Sequence, residues 1–265
     1  MTITRTNNSI SAPITSTNLL SGLRTAMQNA GFGARIDDYT SGNETRDVYE
    51  VQFSTSTYGT AYFETRTNTT TLVIACALYW SFNTVTNTGS ASPTVSANNM
   101  TINTTSGVNF VALDGGTQFK MVLVIQGATV GALSLLRPSL ARPAFWTDAD
   151  YPYFFMGKNI TGASQFTAWE STGGASLHPY SSVAIGLRPI NLQGTLPNGQ
   201  RQVVGSAQLQ STTGTNQGFI GQFNGDIVQV AGTNAIILDP ISVLPGVEEY
   251  TILHVANGGL AVRTV

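Results

Sequence analysis

One stretch near the N-terminus has helical periodicity. Leu19, Leu20, Leu23, Met27 and Ala30 recur at three- and four-residue spacing, which predicts a single amphipathic helix over 18–30. Ser16, Thr17 or Asn18 is its expected cap, and Gly31 supplies a left-handed stop. Residues 1–15 are polar with Pro13 and read as an arm or an edge strand. From Asp47 onward the pattern belongs to strands. Segments 47–54 and 60–66 alternate in part, and 72–80 is apolar on both faces, as in a sandwich core or beneath a helix. Positions 109–113 and 118–125, joined through Asp114-Gly115-Gly116, predict a hairpin. Segment 132–136 reads as a short strand or a helical turn.

The second half repeats this style, with candidate strands at 165–169, 181–187, 202–204, 217–223, 226–230, 235–238, 249–255 and 260–265. Short strands at such spacing predict an all-β fold, mainly an antiparallel β-sandwich or partly closed barrel, with one N-terminal α-helix. Residues 84–106 are rich in Thr, Asn and Ser and read as an exposed hairpin excursion. The chain divides into an arm and helix (1–35), a β lobe (36–136), and an aromatic, proline-rich junction with a second β lobe (137–265), read as one integrated unit. In that junction Trp146, Tyr151 and Tyr153 have two readings: core between the lobes, or surface anchors for a neighbouring subunit or a receptor.

Composition sharpens this picture. Charged residues are 10% of the chain, where soluble domains average about 25%. Thr, Ser, Asn and 27 Gly take the surface role instead, and only two lysines occur. Net charge is −2 with no basic cluster, which argues against nucleic acid or an anionic membrane as partner. A neutral polar surface lets copies pack closely with little repulsion, and cations that are nearly all Arg favour interfaces. Residues 1–15, with no core to join, are the element expected to reach a neighbour. No apolar run has the roughly 18 residues that span a bilayer, so no membrane insertion is expected. Without a hydrophobic signal core at the N-terminus, synthesis and folding in a cytoplasm are expected. Six Asn-x-Ser/Thr sequons, at Asn7, Asn43, Asn68, Asn99, Asn103 and Asn159, are close to the number chance supplies in so Ser/Thr-rich a chain.

Candidate chemistry is sparse. His178 and His254 are far apart in sequence, and the one cysteine, Cys76, sits in a core-like run, so no catalytic, metal or cofactor site is expected. Asp148 and Asp150 have the alternate spacing of a Ca²⁺ or glycosidase pair, but beside Trp146 and Tyr151 they read as solvated turn residues. Asp37-Asp38 and Glu248-Glu249 read the same way. The expectation is a protein that is not an enzyme.

The capped helix 19–32, the segment Phe145-Trp-Thr-Asp-Ala-Asp-Tyr-Pro-Tyr-Phe-Phe-Met-Gly157 and the closing strands 225–232 and 261–265 resemble virion proteins of tailed bacteriophages. The resemblance implies a structural subunit of the neck, tail or baseplate, located in the virion. It would act through contacts with copies of itself and with other virion proteins. The alternative implied is a carbohydrate-binding or carbohydrate-cleaving tail-fibre or spike adhesin, with a host-surface glycan as partner.

Overall fold

The computed structural model describes residues 3–54, 59–79, 81–90, 100–137, 154–160, 168–172, 185–187, 202–206, 208–211, 218–223, 225–231, 238–254 and 260–265. Among these the protein is mostly β, in antiparallel sheets, with one helix. That is the fold class the sequence predicts.

The helix α1 spans Ser16–Asn29. Its cap is Thr15, one residue before the expected candidates. The Thr15 hydroxyl accepts from the Asn18 N–H at 3.2 Å while Asn18 Oδ1 accepts from the Thr15 N–H at 2.8 Å, so two donors at the open end are satisfied reciprocally. The stop at Gly31 is as expected, with φ 77°. The Phe32 N–H reaches the Met27 carbonyl at 3.1 Å and the Gly31 N–H that of Gln28 at 3.0 Å, the Schellman arrangement.

A nine-stranded central sheet runs in the order β1 (Thr4–Ile10), β9 (Val108–Gly115), β10 (Phe119–Gln126), β11 (Thr129–Leu136), β12 (Phe154–Ile160), β13 (Ala168–Thr172), β14 (Ile185–Leu187), β16 (Gln208–Ser211) and β17 (Gly218–Gln222). The stretch 132–136 is therefore strand, the end of β11. On one side lie α1 and a five-stranded sheet of β2 (Arg35–Ser41), β3 (Glu44–Gln52), β4 (Thr60–Asn68), β5 (Val73–Tyr79) and β8 (Met100–Thr101). On the other lies a second five-stranded sheet, in the order β15 (Gln202–Ser206), β18 (Ile227–Ala231), β21 (Leu260–Arg263), β20 (Glu248–His254) and β19 (Pro240–Leu244). Its two edge strands, β15 and β19, approach one another, curling it around Val228, Val230, Ile241, Tyr250, Ile252 and Ala261.

Strand β10 shows why the run 118–125 is apolar throughout. Val122 and Val124 face α1 and the first sheet, packing with Leu19, Leu23, Met27, Phe63 and Leu78. Phe119, Met121 and Leu123 face the opposite way, onto Phe223, Ile227, Leu253 and Val262. A strand covered on both faces has no polar face to show. Cys76 lies with Ile74 and Leu78 in the core beneath α1.

Three elements depart from the expectation. Arg35–Ser41, where no strand was expected and Asp37-Asp38 read as solvated turn residues, is β2, joined to β3 by Gly42-Asn43 with Gly42 at φ 61°. Pro240–Leu244 is β19, whereas the strand expected at 235–238 falls mostly outside the described residues. The N-terminal segment is an edge strand, one of its two expected readings, but contrary to expectation it has a core to join. β1 pairs along its length with β9, and Ile3 and Ile14 on either side of it are buried. In the excursion 84–106, β6 (Ser81–Asn83) and β7 (Thr88–Ser90) form a small hairpin, and Met100 and Ile102 return to the core.

Candidate functional site

Among the described residues, charged side chains that fold inward do so as ion pairs. Asp47, on the face of β3 turned toward α1, is 1% exposed. Its carboxylate accepts from Arg24 Nε at 2.9 Å and Arg24 Nη2 at 2.8 Å, and from Arg35 Nη1 at 3.1 Å. The bond to Asp47 holds the Arg24 guanidinium above its ordinary pKa. Asp38 adds weaker pairs to Arg35 at 3.5 Å and Arg24 at 3.9 Å. This cluster bolts helix to sheet.

The opposite face of the same sheet carries a second cluster. Glu64, fully buried on β4, is paired with Arg66 Nε and accepts from the hydroxyls of Tyr39 at 2.7 Å and Tyr79 at 3.2 Å. Arg66 Nη2 donates to the Tyr79 hydroxyl at 2.9 Å. Phe82 of the β6–β7 hairpin covers it, with its ring 5.7 Å from that of Tyr79 and 6.4 Å from that of Tyr39. Burial, then the hydrogen bond to Glu64, pushes the Tyr39 phenol up to about 12. Burial likewise raises Tyr79. The Glu64 carboxylate is answered within the cluster by Arg66 and two phenols, and the cluster holds the β6–β7 hairpin down on the sheet.

Two further pairs lie within the central and the curled sheet. Lys120 Nζ lies 2.5 Å from Asp114 Oδ1 under the C-terminal end of α1 and 5.8 Å from the centre of the Phe53 ring. In the curled sheet the Tyr250 hydroxyl lies 2.8 Å from both the Gly225 carbonyl and the Glu248 carboxylate, two acceptors that share its one proton, and Arg263 lies 3.7 Å from Asp226.

One open groove, of about 510 Å³, runs between β1 and α1. Asn8, Ile10, Thr15, Asn18, Ser21 and Thr25 are among its lining, which is neutral and without an aromatic ring. Elsewhere the surface exposes apolar residues at or beside hairpin turns: Val243 and Leu244 at the end of β19, Val247 in the turn to β20, and Val85 between β6 and β7.

The residues singled out from sequence distribute as follows. Trp146, Tyr151 and Tyr153 lie outside the described residues, as do Asp148, Asp150 and His178. His254 ends β20. Asp37-Asp38 belong to β2, and Asp38 joins the Asp47 cluster. Glu248 and Glu249 cap their own hairpin, through Tyr250 and through the Gly246 N–H. Among the described residues no three His, Cys, Asp or Glu side chains group to hold a metal, and no helix is long and apolar enough to cross a membrane. Sequence reading missed the Asp47 and Glu64 clusters. The signal available was carboxylate and arginine at alternate positions, Glu64 and Arg66, in a strand whose other face is apolar.

No protein-family model matches this chain, and no curated protein matches it either.

Proposed function

We propose that the protein is a structural subunit of a phage particle, in the neck, tail or baseplate, working through contacts with its own copies and with other virion proteins. The observation that carries this reading is where the charge sits. Among the described residues most ionisable groups are drawn into pairs: Asp47 ties α1 to the first sheet, while Glu64, Lys120 and Asp226 are paired within their own sheets. The surface is left to hydroxyls and amides, with apolar side chains at or beside hairpin turns. Such a surface repels other copies weakly, and small apolar turns are the kind of contact that packs into a neighbour. The groove beside α1 would offer a sugar hydroxyl and amide partners but no ring to stack on, which favours the structural reading over the glycan-binding one.

The test is the particle itself. Mass spectrometry of purified virions is expected to find the protein at an integral copy number consistent with ring or trimer symmetry, and gold-labelled antibody to mark the neck, tail or baseplate. Its absence from washed particles overturns the reading. A soluble protein that depolymerises or retains a host polysaccharide would replace it with the adhesin reading.

A further inference from the structure

Among the described residues, strand β1 pairs along one side of its backbone only. It pairs with β9 residue for residue, from Thr4 opposite Asp114 to Ile10 opposite Val108, without a bulge. It is the terminal strand of the central sheet, and no described strand pairs with its other side. A regular edge presents alternate N–H and C=O groups to whatever lies beside it, and proteins usually blunt such edges with lysine, proline or a bulge. None of these occurs within Thr4–Ile10, whose one charge is Arg5.

We infer that this edge pairs antiparallel with the β1 edge of a second copy, about a two-fold axis at Asn7, so that two central sheets run on as one. The inference rests on the subunit reading above and names a contact that such a subunit uses.

Charge, helix spacing and groove shape all select a second copy as the occupant. With Asn7 at the axis, Arg5 of one copy lies opposite Ser9 of the other. The two Arg5 residues are then about 13 Å apart along the strands, beyond the screening length of about 8 Å at physiological salt. The pairing therefore sets no like charges face to face. The helix lies over β1 and β9, with Ile10 packed beneath Gly22. A two-fold axis normal to the sheet keeps both helices on the same face. With strands about 4.8 Å apart, the two helices come within about 10 Å of each other, which is the spacing of packed helices. The groove fits that approach. Its wall on α1 consists of Thr17, Asn18, Ser21, Gly22 and Thr25, small and neutral, so the partner's helix can close over it. The strand of about 24 Å and the helix of about 21 Å are matched in length.

The experiment uses the full chain. Light scattering of the wild-type protein across about 1–200 µM is expected to show a concentration-dependent dimer. Asn7→Lys sets two cations opposite each other at the axis while leaving an exposed position of the monomer. It is expected to weaken dimerisation at least tenfold with an unchanged melting temperature. Asn7→Cys is expected to form a disulfide-linked dimer under mild oxidation, since residues directly opposite in antiparallel strands lie within bridging distance. Thr4→Cys, which the axis pairs with Ile10, is expected to stay unlinked. Ser21→Lys on the facing helix is expected to act like Asn7→Lys. A dimer untouched by either lysine overturns this contact and leaves the subunit reading standing. A wild-type monomer at 200 µM that does not cross-link at Asn7→Cys also overturns it, while presence in virions tests the subunit reading separately.

Discussion

At the scale of single residues, the most consequential groups are charges placed where water cannot reach them. Removing one partner of a buried pair leaves the other uncompensated, at about 3–5 kcal/mol. Arg66→Met is therefore expected to cost stability in that range, because fully buried Glu64 keeps only the Tyr39 and Tyr79 hydroxyls. The double variant Glu64→Gln, Arg66→Met is expected to recover much of the loss. Urea midpoints of the three proteins check this. The tyrosines give a pH signature. Tyr39 titrates near 12 in the folded chain because burial and its bond to Glu64 favour the neutral phenol, against an ordinary value of 10.0. In the unfolded chain it ionises first. Its contribution is therefore intact below about pH 10 and lost as pH rises from 10 to 12. Tyr79 shifts in the same direction. Melting temperature is expected to hold to about pH 10 and then fall, less steeply in Tyr39→Phe, with tyrosinate absorbance rising late.

At the scale of elements, the ends of α1 and the first hairpin separate two costs that glycine avoids. Gly31 has φ 77°, and a Cβ there would come 2.4 Å from Asp114 Oδ2 and 2.7 Å from Lys120 Nζ. Gly42 has φ 61° with nothing within 4 Å. Gly42→Ala is expected to cost about 1 kcal/mol, for backbone strain alone. Gly31→Ala adds overlap with the Lys120–Asp114 pair, for about 2–3 kcal/mol in total. Thr15→Ala removes the cap hydroxyl at about 1 kcal/mol. Chemical denaturation of these variants should rank Gly31 first. The helix and its glycine stop were legible from spacing, because both are local. The cap slipped by one residue, since Thr15, Ser16, Thr17 and Asn18 all have capping side chains and only the entry of the chain from buried Ile14 picks among them. Strand β2 was not legible. Its sequence, Arg-Ile-Asp-Asp-Tyr-Thr-Ser, is polar, and what makes it a strand is pairing with β3 and the pull of Arg35 and Asp38 toward the Asp47 cluster.

At the scale of the whole molecule, the N-terminal strand ties the layers together. Deleting residues 1–15 strips β9 of a partner and removes buried Ile3 and Ile14 together with Ile10, which packs beneath α1 at Gly22. The shortened chain is expected to melt well below the full one, or to aggregate through the bared β9 edge. A truncated protein with an unchanged melting temperature would show that β1 contributes little to the fold. Contacts between copies are therefore better probed by point changes on β1 than by removing it.

Local physics acted wherever a signal was contained within a dozen residues. Spacing of Leu19, Leu23 and Met27 determined the helix, Asp114-Gly115-Gly116 the β9–β10 hairpin, and the two-faced apolar runs at 72–80 and 118–125 the buried centre of an all-β molecule. Composition determined that charge would be scarce. Only the tertiary structure decided how that charge was used. Asp47 lies 23 residues from Arg24, and Tyr39 lies 25 from Glu64, so no window along the chain contains either cluster. The same holds for β1, whose polar sequence reads as an arm or an edge strand, a choice that only β9, a hundred residues away, decides by providing the backbone partners. Pairing across such distances depends on which faces the sheets have left to bury, and that is a property of the assembled layers.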